Sequence, residues 1–281
     1  MLESYANGQW FRASDDGHPL LDAATGEEVA RLSSTGLDLA AMAGHAREVG
    51  GPAVRRLTFH ERAAVLKAVA KHLSGVKDEL YSLSAHTGAT PRDSEVDIDG
   101  GIGTLFSYAG RGTRELPNET IVLDGDTERL GRSGVFSAQH VYTSRTGVAV
   151  QINAFNFPVW GMLEKLATAF LAGLPSIVKP ASQGTYLTER AVRHIIGSGL
   201  MPEGRCNCCA AVPTACSTSW GHRTRSRSPA RPPPPPRCVS TRRSSTTACG
   251  SVSRPIRSTA RSSDPTSART TRNSTSSSRA L

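Results

Sequence analysis

Two polar residues, Asn156 and Lys179, occupy positions where this chain could carry chemistry. Asn156 lies in the segment INAFNFP (residues 152–158), directly after a β-prone run, and Lys179 begins KPA at the end of the next such run. Open parallel sheets bind ligands at the carboxyl ends of their strands. An Asn amide there can donate hydrogen bonds to a developing oxyanion, an effect worth about 3 kcal/mol in acyl chemistry. The spacing alone also allows an Asn that completes a turn and a Lys that is a solvated strand-end charge.

The elements around these two residues alternate between strand and helix. The predicted strands are residues 135–142, 147–152 and 175–179, and the predicted helices are residues 160–171 and 186–196. Strand, helix, strand, helix implies parallel strands joined by crossover helices, as at the beginning of a dinucleotide-binding α/β domain. No GxGxxG pattern is present in residues 1–204, so periodicity alone leaves the cofactor and the reaction open.

Upstream of these elements, the pattern predicts short strands and then helices. Apolar residues at three- and four-residue spacing place one face of a helix over residues 57–73. Gly100, Gly101 and Gly103 precede an apolar stretch, so we expect helices to pack closely there. The other predictions are a small hairpin from residues 8–11 and 28–32, a helix over residues 76–86 and a loop over residues 117–134.

The composition changes after Gly204 and divides the chain into a body, residues 1–204, and a tail, residues 205–281. The tail holds all six cysteines, fourteen arginines and one acid, Asp264. It contributes +13 to the net charge of +9, which leaves the body at −4 and without the positive excess of a nucleic-acid-binding protein. The body lacks the run of about 20 apolar residues that spans a bilayer. Its start also lacks a basic and then apolar leader, so we expect a cytoplasmic protein.

Several motifs of the body resemble one enzyme superfamily. INAFNFPVWGMLEKLA (residues 152–167), with VKPA at residues 178–181, resembles the opening of the cofactor domain of the aldehyde dehydrogenases. Other segments are similar to the aldehyde dehydrogenase half of the bifunctional ring-opening enzyme of phenylacetate degradation. They are FHERAAVLKAVAKHL (59–73), HTGAT (86–90), VDIDGGIGTLFSYA (96–109) and RELP (114–117). The resemblance covers essentially the whole body. It implies an α/β fold, the N-terminal part of an aldehyde dehydrogenase with an incomplete Rossmann-like parallel sheet, helices and an oligomerisation hairpin.

The resemblance assigns roles to individual residues. Asn156 corresponds to the asparagine that helps to bind the thiohemiacetal oxyanion, and Lys179 to the lysine that contacts the adenosine ribose of the cofactor. Ile152 and Phe155 correspond to positions that line the cofactor path. Ser182 stands where NAD-preferring relatives often have a Glu that would repel a 2′-phosphate, so the resemblance favours NADP over NAD.

The resemblance also implies what the chain acts on and what it lacks. The substrate of the family is an aldehyde, here a CoA-linked semialdehyde of phenylacetate catabolism, and a homo-oligomer is expected through a hairpin of residues 135–152 (Val135 to Ile152). The family also needs a TGS turn, a general-base Glu and a nucleophilic Cys, all beyond residue 204. None of the tail cysteines has the surroundings of that nucleophile. We therefore expect an inactive chain with impaired cofactor binding.

The tail allows three interpretations. Residues 223–236 (RTRSRSPARPPPPP) resemble an Arg/Ser-rich arm with a polyproline spacer, which could bind RNA or a protein partner on a degenerate enzyme body. Cys206, Cys208, Cys209 and Cys216 are soft metal ligands, but their spacing matches no zinc pattern, and we predict no metal site. The third interpretation is translation of a GC-rich gene in the wrong reading frame.

The residues favour the frame change. When the frame is moved back by one base, residues 226–234 permit VAFTGSAAT, which contains the TGS turn of the family. Residues 254–273 permit EADSLNCAILGPDVGPDDPE, which resembles the segment that carries the general-base Glu. Two such segments in one frame and in the expected order make this the preferred hypothesis. An out-of-frame tail with so few apolar residues is expected to be disordered and to add no third parallel strand.

Overall fold

The computed structural model describes residues 1–201 and, as backbone alone, Cys206–Cys208 and Thr224–Arg227. The strands are β1 (Ser4–Ala6), β2 (Gln9–Phe11), β3 (His18–Leu21), β4 (Glu28–Leu32), β5 (Ile121–Leu130), β6 (Phe136–Thr143), β7 (Val148–Ile152), β8 (Ser176–Lys179), β9 (Cys206–Cys208) and β10 (Thr224–Arg227). The α-helices are α1 (Leu39–His45), α2 (Gly51–Arg55), α3 (Phe59–Ser74), α4 (Lys77–Ala85), α5 (Pro91–Arg114), α6 (Pro158–Leu171) and α7 (Thr185–Gly197). A π-helix (Ala46–Gly50) joins α1 to α2, and a 3₁₀ turn (Ser182–Gly184) precedes α7.

The main sheet has the order β10-β7-β8-β9-β1-β2. Strands β10, β7, β8 and β9 are parallel, and β1 joins β9 antiparallel. The predicted α/β architecture, with α6 and α7 as crossover helices, is confirmed.

The expectation that the tail adds no strand is wrong for β9 and β10. A parallel strand is held by main-chain hydrogen bonds, which these two proline-free segments can make whatever their side chains are. The remaining residues of the tail lie outside the described part of the chain.

Two predictions about hairpins were wrong. The predicted hairpin of residues 8–11 with 28–32 is instead two hairpins, in which β1 pairs with β2 and β3 with β4. Asn7 and Gly8 adopt positive φ angles of 53° and 79° at the first turn, as a tight Asn-Gly hairpin turn requires.

The second wrong prediction concerns residues 117–152. Most of the predicted loop is strand β5, which pairs with β6 over a hairpin that turns at Gly131 and Gly134. Strand β7 therefore does not form a hairpin with β6. Val148 and Val150, on one face of β7, are each 1% exposed, and Gln151, on the other face, is 2% exposed. Both faces of β7 are therefore covered, as in a parallel sheet, whereas β6 is exposed along its whole length.

The core lies between the sheet and helices α3, α5, α6 and α7. Helix α6 is at its centre, with most of its apolar side chains fully buried. Helices α5 and α6 approach closely at the predicted Gly-rich stretch, where a Cβ on Gly101 would lie 3.0 Å from Cα of Trp160. Thr58 and Thr90 begin α3 and α5 with capping boxes, which fix where these helices start.

A buried arginine joins three parts of this core. Arg62, on α3, is 0% exposed and donates hydrogen bonds to the carbonyl oxygens of Val54 (3.2 Å) and Leu171 (2.8 Å) and to the hydroxyl of Ser144 (2.7 Å). Leu171 is the last residue of α6, so the guanidinium lies at the negative end of that helix. It thereby ties α3 to α2, to the end of α6 and to the segment that leads into β7.

We predict that Arg62→Met lowers the free energy of unfolding by about 3 kcal/mol, because the buried carbonyl oxygens lose a charged donor. Urea unfolding followed by far-UV circular dichroism measures this. The control is Arg111→Met, which removes a guanidinium whose side chain is 61% exposed and which should change stability by less than about 0.5 kcal/mol. Equal losses of stability in Arg62→Met and Arg111→Met would contradict the role of Arg62 as a buried donor that joins these elements.

Candidate functional site at the carboxyl edge of the parallel sheet

The ends of β7 and β8 meet at one edge of the sheet. Ile152 is the register partner of Lys179, and the amide of Asn153 donates to the carbonyl of Lys179 at 3.0 Å, which extends the pairing by one residue. The chain then crosses from β7 to α6 through residues 154–157, here called the Asn156 turn. This is the position that the sequence predicted, at the carboxyl ends of neighbouring parallel strands.

The Asn156 turn is exposed, in contrast to the elements on either side of it. Phe155 is 68% and Phe157 39% exposed, and both line a cleft of about 540 Å³ together with Asn156. The other walls of the cleft come from the β3–β4 loop, the end of α4 and the start of α7; they include Asp22, His86, Gln183 and Tyr186. The amide of Asn156 therefore borders a cleft large enough for a small organic ligand.

Lys179 and Ser182 lie beyond the end of β8 and have different surroundings. Lys179 is 4% exposed, and its ammonium donates to the carbonyl of Pro180 at 2.9 Å. Ser182 lines a second cavity of about 370 Å³, and Gln183 lines both this cavity and the Asn156 cleft. No carboxylate is among the residues that line this second cavity in the described part of the chain.

A buried carboxylate fixes the start of α6. Phe157, at the N-cap, offers no side-chain hydrogen bond to the helix. Asp97, on α5, caps the helix instead. Its carboxylate accepts hydrogen bonds from the amides of Trp160 (2.7 Å) and Val159 (3.3 Å), and the residue is 3% exposed. These amides are among those that a helix leaves unpaired at its N-terminus, where the helix dipole also favours a negative charge.

Two opposing effects act on the Asp97 carboxyl group. Burial raises the pKa of Asp97 from its ordinary value of 3.8 to about 6, and the hydrogen bonds from Trp160 and Val159 lower it by a smaller amount. Loss of hydration is thus the larger effect, and the group changes its charge near neutral pH.

A second polar cluster lines the same cleft as Asn156. The carboxylate of Asp22 accepts from His86 Nδ1 at 2.6 Å and from the amides of Ala24 (2.7 Å) and Thr25 (2.9 Å). The His86 contact, followed by the amide bonds, lowers the pKa of Asp22 to about 2. Burial, followed by the charge of Asp22, raises the pKa of Tyr186 to about 12, and its hydroxyl has no hydrogen-bond partner among the described residues.

The structure brings the five predicted site residues to one edge but not into one cavity. Asn156 and Phe155 line the larger cleft and Ser182 the smaller cavity, whereas Ile152 and Lys179 line neither. Nicotinamide cofactors extend across such an edge, so the arrangement fits one whose adenosine end lies near Lys179 and Ser182. To contact the adenosine end of such a cofactor, the Lys179 ammonium would have to leave the carbonyl oxygen of Pro180 or donate to that oxygen and to the cofactor together.

Sequence reasoning missed the residues that support the edge. Asp97 stands in VDIDGG and His86 in HTGAT, both recognised as motifs but without roles for these side chains. The available signal was an acidic residue one helical turn before a glycine, as Asp97 is before Gly101, because glycine allows another helix to approach. The partner of Asp97 lies 63 residues away and could not be read from local spacing.

The fold and the site define a class of protein: an α/β protein with a ligand cleft beside an exposed Asn at the carboxyl edge of parallel strands. Residues 10–218 match the model of the aldehyde dehydrogenase family. The chain belongs to the aldehyde dehydrogenase family.

Relatives of known name agree with this. The chain is 42% identical over 204 residues to 3,4-dehydroadipyl-CoA semialdehyde dehydrogenase of Aromatoleum evansii, a match that covers 72% of the chain and 39% of the relative. It is 28% identical over 210 residues to retinal dehydrogenase 2 of Mus musculus, covering 72% of the chain and 38% of the relative. The chain thus spans about two fifths of the length of these relatives.

Solved structures show the same fold. An NADP-dependent enzyme of E. coli matches with a TM-score of 0.65 at 24% identity, over 76% of this chain and 43% of that one. NADP-dependent glyceraldehyde-3-phosphate dehydrogenase of Bacillus halodurans C-125 matches with a TM-score of 0.64 at 20% identity, over 76% and 44%. Within the described residues, no helix is both long enough and apolar enough to span a membrane.

We predict that the stability difference between Asp97→Asn and the wild type depends on pH. Because the folded-state pKa is raised, the contribution of Asp97 to stability is fully present below about pH 4 and is lost as the pH rises through about 6. The loss corresponds to about 3 kcal/mol, so the variant should gain that much relative to the wild type between about pH 4 and 7.

Urea unfolding at a series of pH values measures this difference. Glu95→Gln, which removes an exposed carboxylate from the same helix, is the matched control. A difference between Asp97→Asn and the wild type that stays constant across this range would show that burial does not govern the Asp97 carboxyl group.

Proposed function

We propose that this chain supplies the oxyanion-binding amide and the adenosine-binding edge of an NADP-dependent dehydrogenase that oxidises a CoA-linked semialdehyde to the acid in phenylacetate catabolism. The relative of 42% identity, named for a CoA-linked semialdehyde, supports this substrate class. The single observation that carries the proposal is the placement of Asn156 on an exposed turn beside a cleft, directly after β7 and adjacent to the end of β8.

The role of Asn156 follows from this placement. When a nucleophile adds to an aldehyde, the carbonyl oxygen gains negative charge, and a fixed amide N–H stabilises that charge. Asn156 can fulfil this role because its turn is attached at one end to a sheet and at the other to α6. When bound, the nicotinamide would accept the hydride; Lys179 and Ser182 would hold the ribose side of the cofactor.

The preference for NADP rests on Ser182 and on the absence of carboxylates from the described lining of its cavity. A 2′-phosphate carries negative charge, and a carboxylate at this position would repel it.

We predict that Ser182→Glu weakens NADP⁺ binding at least about tenfold while NAD⁺ binding changes less, because the new carboxylate repels the 2′-phosphate. Calorimetric titration of the purified chain with each cofactor measures both affinities. The control is Ser182→Gln, which introduces a side chain of the same size as glutamate but without its charge. This variant should keep the preference of the wild type for NADP⁺ over NAD⁺. Because cofactor binding by this chain is expected to be impaired, the wild type should bind NADP⁺ weakly but measurably. Binding of neither cofactor would contradict the proposed adenosine edge, and equal effects of Ser182→Glu on both cofactors would contradict the preference for NADP.

The oligomerisation surface is proposed to be the β5–β6 hairpin, in place of the hairpin of residues 135–152. Its two strands expose several large apolar side chains, among them Phe136 (71%), Tyr142 (61%) and Leu123 (56%). Such a patch is typical of a surface that another protein chain covers.

The tail is proposed to be translated out of frame. The two family-like segments that the shifted frame permits, at residues 226–234 and 254–273 and in the expected order, support this. Such a tail would supply neither the nucleophilic Cys nor the general-base Glu of the family, and residues 1–204 contain no cysteine.

We predict that the purified chain forms no NADPH from NADP⁺ and an aldehyde above the rate of its Asn156→Ala variant, because none of the tail cysteines has the sequence surroundings of the family's nucleophile. Absorbance at the wavelength of the reduced cofactor follows the reaction, with a CoA-linked semialdehyde as substrate.

Sequencing the gene across the codons for residues 202–207 accompanies this assay. A shifted frame together with inactivity is the expected result. Turnover that the Asn156→Ala substitution abolishes would overturn the proposed inactivity and show that the chain supplies a nucleophile of its own.

A further inference from the structure

We propose that Asn153 is a positioning residue, which holds the Asn156 turn in place through Lys165. This inference rests on the proposed role of Asn156. Asn153 is the last residue before the turn and follows β7 directly, so any restraint on its side chain acts on the residues that come next.

The side-chain orientation of Asn153 is fixed by its neighbour. The Lys165 ammonium lies 2.9 Å from Asn153 Oδ1, and an ammonium can only donate. The oxygen must therefore face Lys165, and the amide nitrogen must point the other way. Asn153 is 6% exposed, and its Nδ2 has no hydrogen-bond partner among the described residues.

This arrangement is unfavourable for stability taken alone. A buried amide nitrogen without a partner has given up its hydrogen bonds to water and gained none in return. An apolar side chain at this position would avoid that penalty, as the buried Val148 and Val150 do on the preceding strand β7. Unsatisfied buried groups of this kind in native proteins call for a functional explanation.

The explanation lies in what Lys165 joins. Its ammonium donates both to Asn153 Oδ1 and to the carbonyl oxygen of Gly161, each at 2.9 Å. Asn153 ends the strand side of the turn, and Gly161 belongs to the first turns of α6. The lysine therefore connects the two ends of the Asn156 turn. Without Asn153, the residue that directly precedes the turn would lose its side-chain link to α6.

The test uses Asn153→Leu and two independent readouts. Hydrogen–deuterium exchange of residues 154–161, measured by mass spectrometry, should become about tenfold faster, because a link to a charged group is lost. The urea midpoint should change little, because removal of the unpaired Nδ2 offsets the lost hydrogen bond to the Lys165 ammonium. A residue with a structural role alone would move both readouts together, in the direction of lower stability.

Two further variants sharpen the result. Asn153→Asp keeps an oxygen facing Lys165, so exchange in the turn should stay within about twofold of the wild type. Gln151→Leu removes another buried amide from β7, one hydrogen-bonded to the Ser176 hydroxyl at 2.9 Å. It should lower the urea midpoint without a selective increase of exchange in the turn.

The inference is overturned if Asn153→Leu leaves exchange of residues 154–161 unchanged, if it lowers the midpoint markedly or prevents folding, or if Asn153→Asp loosens the turn as much as leucine does. These measurements need neither cofactor nor turnover. A negative result here would leave the proposed dehydrogenase function standing, whereas failure of the Ser182 titration would leave the exchange result standing.

Discussion

The carboxyl edge depends on one constraint, a central helix with a buried ionisable group at each end. Asp97 accepts from the first free amides of α6, and Arg62 donates to the carbonyl of its last residue. Each group lies at the end of the helix dipole that favours its charge. Both are removed from water, so each is stable only while α6 stays packed against α5 and α3. The helix is thereby fixed along its axis, and the turn that leads into it is fixed at one end.

This constraint explains how an exposed turn can present a side chain in a defined direction. The Asn156 turn has little packing of its own, as the exposed rings of Phe155 and Phe157 show. Its order must therefore come from its ends, where β7 is paired with β8 and α6 is capped by Asp97. Ligand sites are commonly built in this way, with a small mobile element attached to rigid ones.

The sequence was sufficient for the buried elements around the edge and for its location, but not for the exposed strand β5, for β9 and β10, or for the contacts that support the edge. Strong apolar periodicity revealed α6, α7, β7 and β8, since these elements are buried and their pattern is local. Strand β5 was missed because its Gly/Asp-rich, exposed sequence has the composition of a loop. Asp97 and Arg62 were missed as supports because their partners lie 63 and 109 residues away in the chain. Strands β9 and β10 were missed because main-chain pairing leaves no mark on composition.

The close contact of α5 with α6 also limits how this part of the chain can change over time. Asp97 must face the end of α6 while Gly101, one helical turn later, gives room to the backbone of Trp160. Each residue of an α-helix rotates the next by about 100°. Inserting or deleting a single residue between these two positions would turn either the carboxylate or the glycine away from its partner. Related sequences can therefore differ in the lengths of their surface loops, whereas the five-residue stretch from Asp97 to Gly101 must keep a constant length.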